Sequence, residues 1–103
     1  MTRTQSARII LMTFILALGA GCATVGKDFA AHKVDEITIG ETTRGDIETM
    51  FGEPWRTGIE DGKPTWTYAK YRWSAFGDAE TTDLLVRFAP DGSVSSYVYN
   101  TTK

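Results

Sequence analysis

The chain has 103 residues, with 11 basic against 13 acidic side chains, one cysteine and one histidine. That length supports one small domain behind a leader. A net charge of −2 leaves no basic stripe for nucleic acid, and a single cysteine closes no disulfide within the chain.

Arg3 and Arg8 head an apolar run over 9–18, and Gly19-Ala20-Gly21 then leads into Cys22. The run is about half of the roughly 20 residues that span a hydrocarbon core, but it suits the h-region of a secretory signal. A plain signal needs no cysteine after its small residues. A lipobox does, because the thiol takes a thioether-linked diacylglycerol before cleavage leaves Cys22 as the first residue. Leu18 stands one position further from Cys22 than is usual, with Gly19 in its place. A plain signal with a coincidental cysteine and a single-pass anchor are the other readings of this run.

Ala23 follows Cys22 with no aspartate to retain the product at the inner membrane, so the expected address is the periplasmic face of the cell outer membrane. Several acyl chains on one residue give stable anchoring where a single chain is marginal. Residues 1–21 are thus expected to be a lipoprotein signal peptide, 22–32 a flexible tether, and 33–103 a folded domain. Arg3 and Arg8 leave with the signal, so the remainder is more acidic and membrane contact is expected through Cys22.

Within the domain, Val34 and Ile37 have the spacing of one helical turn. Thr43-Arg44-Gly45-Asp46 fits a capping box, and Ile47, Met50 and Phe51 form one apolar face behind it. Gly52 suits the left-handed position after a helix, and Pro54 blocks continuation. These signals predict a helix over 44–51. Strands follow at 55–59 and 65–73, with Asp61-Gly62 as the hairpin turn between them. A loop is expected over 74–80, then strands at 82–89 and 93–100 joined by Pro90-Asp91-Gly92. The fold class is α+β: one or two short N-terminal helices packed on one face of a three- to four-stranded antiparallel meander sheet.

Strand parity assigns faces. Leu84, Val86 and Phe88 share one face, as do Val94 and Val98 on the next strand. With Trp66 and Tyr68 these make a core against Ile47, Met50 and Phe51. The opposite parity carries Tyr71, Trp73, Leu85, Tyr97 and Tyr99, a candidate partner surface rich in aromatic rings. A bulge near Lys70 would return Tyr71 and Trp73 to the core, and the tether or a second copy would be other covers for this face.

Little else carries chemistry. His32 stands beside Asp35 and Glu36 without a third ligand at metal spacing, and the segment reads as solvated. Asp46 and Glu48 complement the helix dipole. No serine or threonine has a histidine base close in sequence, and no glycine-rich phosphate loop is present. Neither catalysis nor a cofactor nor a metal is expected.

The ordered run Phe29…Val34-x-x-Ile37-x-x-Gly40-x-Thr42-Thr43-x-x-Asp46-Ile47-x-x-x-Phe51-Gly52-x-Pro54, then Trp66-Thr67-Tyr68, then Phe88-Ala89-Pro90-Asp91-Gly92-Ser93-Val94, resembles the BamE (SmpA/OmlA) lipoprotein domain family. The resemblance covers nearly all of the chain after Cys22. It implies two short helices on an antiparallel sheet, as in β-lactamase inhibitory protein repeats. It also implies a non-catalytic outer-membrane lipoprotein that supports the β-barrel assembly machinery. Of the family's functional residues, only the lipidated cysteine carries over, as Cys22. A periplasmic protein-binding or inhibitor-like module using the aromatic sheet face is the alternative.

Overall fold

The computed structural model describes residues 22–102 apart from 76. The signal peptide read at 1–21 lies outside these residues. Local signals build the first elements of the domain. A 3₁₀ helix, Ala31–Glu36, buries Val34, and Ile37 joins the same core. The α-helix α1, Arg44–Phe51, opens on the expected capping box. The Asp46 N–H donates to the Thr43 hydroxyl at 3.2 Å, and the Thr43 N–H donates to the Asp46 carboxylate at 3.0 Å. Gly52 ends the helix at φ 82°, a conformation that costs glycine little.

The strands are β1 (Cys22–Gly26), β2 (Arg56–Glu60), β3 (Lys63–Ser74), β4 (Gly77–Phe88) and β5 (Val94–Thr101). They form one antiparallel sheet in the order β1-β3-β4-β5, with β2 also on β3. The protein is α+β, and the expected meander is β2 to β5. Asp61 and Gly62 both have positive φ, 52° and 78°, which gives the tight β2–β3 turn a twist that matches its strands. The loop expected over 74–80 is mostly strand, because β3 runs to Ser74 and β4 starts at Gly77.

The fifth strand corrects the reading of 22–32 as a tether. Residues 22–26 pair with β3, Cys22 opposite Ser74 and Gly26 opposite Lys70. β2 pairs with the other half of the same edge, Arg56 opposite Thr67. One long strand thus carries two short ones end to end. Gly26 has φ 84°, and a Cβ there would land on the carbonyl oxygen of Ala69. Only glycine lets the chain turn away so close to β3.

The core lies between the helices and one sheet face. It contains Val34, Ile37, Ile47, Phe51, Tyr68, Leu84, Val86, Phe88 and Val94, with Met50, Trp66 and Tyr97 packed against it. Phe51 and Phe29 both pack on the Tyr68 ring, at centroid distances of 5.5 and 5.8 Å. The segment before α1 is stitched to the far end of the chain. The Gly40 N–H donates to the Val94 carbonyl at 2.8 Å, the Val94 N–H to the Thr42 carbonyl at 2.8 Å, and the Arg44 N–H to the Gly92 carbonyl at 3.0 Å.

A β-bulge corrects the expected facing of β5. Arg87 pairs with Ser96 but Phe88 with Val94, so Ser95 is the extra residue. Its hydroxyl donates to the Arg87 carbonyl at 3.1 Å. Alternation restarts after it. Val94 stays in the core, while Tyr97 stands opposite Val86 and Tyr99 opposite Leu84, both on the helix side. Val98 stands opposite Leu85 on the open face, not with Val94 as parity alone implied.

Candidate functional site

The five residues of the candidate surface therefore divide. Tyr71, Trp73 and Leu85 lie on the sheet face without helices, because Tyr68 and Leu84, of the opposite parity, are core; the β3–β4 register slips between Arg72 and Ser74, but the pairing of β3 with β1 runs unbroken through Trp73. Tyr97 and Tyr99 do not belong with them. Tyr97 packs on the core, and Tyr99 borders an open cleft of about 270 Å³ on the helix side, with Asp28, Lys70, Arg72 and Glu80. Lys70 Nζ meets Asp28 Oδ1 at 2.8 Å across this cleft. The groups at its rim are of both signs, so the cleft has no strong preference for one charge of ligand.

The open face gains three residues that parity reasoning did not place there. Val25 sits opposite Tyr71 on β1 and is 40% exposed. Val98 is equally exposed. Trp55 precedes β2 and lays its ring edge-on to Tyr71, centroids 6.3 Å apart. The Arg56 guanidinium stands 4.6 Å from the Trp55 ring centre, a cation–π contact. Trp73, opposite Ala23, is 45% exposed. An apolar stripe thus runs along β1 and the adjoining half of β3.

Charge segregates along and across the sheet. Lys70, Arg72 and Glu80 have the parity of Tyr68 and fall on the helix side. On the open face, the ion pair of Arg87 Nε with Glu60 Oε1, 3.1 Å, marks the end near the β2–β3 turn. The Asn100 amide donates to Asp83 Oδ2 at 3.3 Å. The end of the open face near Cys22 carries Ala23, Val25, Tyr71 and Trp73, and none of these is charged.

Cys22 opens β1, opposite Ser74 at the closed end of the β3–β4 hairpin. His32, Asp35 and Glu36 are exposed on or beside the solvent side of the 3₁₀ helix. Among the described residues, no three His, Cys, Asp or Glu side chains gather as a metal site would require. Asp46 serves the helix cap. Glu48 instead acts on Tyr68: burial, and then this carboxylate, push the Tyr68 hydroxyl above its ordinary range. The hydroxyl therefore stays protonated, and it donates to the Gly52 carbonyl at 2.8 Å. That bond ties β3 to the end of α1 and is structural.

No helix among the described residues is long and apolar enough to cross a membrane. Compared with family models, with curated proteins and with solved structures, the chain matches none.

Proposed function

We propose that this chain is an outer-membrane lipoprotein, anchored through acyl chains on Cys22 at the periplasmic face. In this reading it is a non-catalytic scaffold or accessory subunit in β-barrel protein assembly or envelope maintenance. The observation that carries it is the run of Arg3, Arg8, apolar 9–18 and Gly19-Ala20-Gly21-Cys22, followed at once by a small α+β domain. The order of elements supports the resemblance to the BamE (SmpA/OmlA) domain, since a short helical turn and a capped helix precede the meander β2 to β5. The specific likeness to β-lactamase inhibitory protein repeats is part of the same proposal.

The test has two stages. Globomycin treatment of the producing cells should accumulate an unprocessed form retaining 1–21. Affinity capture from detergent-solubilised envelopes should then recover barrel-assembly subunits, and deletion should lower porin levels. Processing without acylation would remove the anchor, whereas capture of no assembly subunit would remove the scaffold role alone.

A further inference from the structure

We infer that the open sheet face is a membrane-docking surface: Trp73 and Tyr71, with Val25 beside them, lie against the lipid headgroup layer of the bilayer that holds Cys22. The inference rests on the lipid-anchor reading and adds an orientation to it. Its basis is the register of β1. Cys22 lies opposite Ser74, and Ala23 lies opposite Trp73. One residue along a strand and one strand across is a backbone separation of about 6 Å. Cys22 has the helix-side parity of Ser74, but it ends the edge strand β1 with no linker before the sheet, so acyl chains on it hold the bilayer surface at the corner of the sheet that Trp73 borders from the open face.

The face is chemically suited to that neighbour. Indole and phenol rings are amphipathic and concentrate at headgroup depth. Trp73 and Val25 are exposed by 45% and 40%, and the ring of Trp55 extends the surface through Tyr71. The charged Lys70, Arg72 and Glu80 of the same half-sheet fall on the other side, where they stay in water. A soluble domain would need large affinity to hold so small a patch on lipid. A domain already attached at its margin does not, because the effective concentration of the patch at the surface is high when the tether is short.

The experiment uses acylated protein purified from its envelope and reconstituted into phosphatidylethanolamine vesicles with a minor phosphatidylglycerol fraction. Some of the lipid is brominated near the headgroup end of the acyl chain. Tryptophan emission should be quenched in the wild type, and Trp73→Phe should remove most of that quenching. The double variant Trp55→Phe with Trp73→Phe leaves only Trp66, which packs on Phe88 at 5.0 Å on the helix side, and should not be quenched. Val25→Glu keeps all three tryptophans, places a charge beside Tyr71, and should also abolish quenching. Thermal melts check that each variant is folded.

Mass spectrometry separates the two readings. Mature protein without acyl mass overturns the anchor and the docking together. Acylated wild type with unquenched emission overturns the docking alone, as does quenching that persists in the double variant. Shielding of Trp73 that appears only on adding an envelope protein fraction places a protein on this face and overturns lipid docking.

Discussion

Tyr97 and Trp73 differ in what a substitution removes. Tyr97 stands opposite Val86 and packs on the core, so Tyr97→Ala is expected to cost about 2 kcal/mol, at the low end for truncating a packed large side chain. Trp73 is nearly half exposed, and Trp73→Ala should cost less than about 1 kcal/mol. Urea unfolding of the two variants measures the difference, and equal losses would contradict the facing imposed by the bulge. Asp91 adds a dependence on pH. Ser93 donates to Asp91 Oδ1 twice, from its N–H at 2.9 Å and its hydroxyl at 2.7 Å. Those bonds favour the carboxylate and hold it below its ordinary range. The folded chain therefore binds this proton less tightly than the unfolded one. The contribution is complete above the unfolded pKa of about 3.9 and is lost as pH falls through the lower folded value. Asp91→Asn should lower the urea midpoint at neutral pH, and its gap from wild type should close as pH falls through the lowered folded value.

At the scale of elements, α1 and β1 owe their existence to different causes. Thr43→Ala removes the acceptor for the Asp46 N–H and should cost about 1 kcal/mol, read as a lower thermal midpoint by circular dichroism. Gly26→Ala should instead release β1 from β3, since the new methyl meets the Ala69 carbonyl. Amide exchange should accelerate over Cys22–Gly26 while the β3–β4–β5 amides stay protected. This contrast explains what was legible in the sequence. The capping box, the Asp61-Gly62 turn and the Pro90-Asp91-Gly92 turn are local devices whose residues determine their own geometry. β1 is not local: Cys22-Ala23-Thr24-Val25-Gly26 has no persuasive period of its own and becomes a strand because β3 outruns β2. The bulge left one trace. Alternation counted from Val94 to Val98 forces Ser96 inward between them, and the Ser95-Ser96 pair is where the count breaks. Tyr71, Trp73 and Leu85 lie on strands whose parity that break leaves intact, so their facing was readable; Tyr97 and Tyr99 lie beyond it and reversed.

For the whole molecule, the anchor proposed at Cys22, the first residue of β1, would allow few orientations, whereas a linker would allow many. Inserting about ten Gly and Ser residues between Cys22 and Ala23 adds roughly 17 Å of flexible reach. The acylated insertion variant should still sediment with vesicles, but lipid quenching of Trp73 should fall severalfold. Unchanged quenching would mean that the face binds lipid without help from the short attachment.

The stitching of 40–44 to 92–94 has a consequence for the order of folding. A capped eight-residue helix can begin to form from its own signals, but an isolated helix of that length is marginal in water. Its permanent seat depends on backbone partners about fifty residues downstream, so closing that loop must precede or accompany docking. A chain halted before Gly92 would lack those acceptors. The element with the clearest local instructions is thus among the last to be fixed in place.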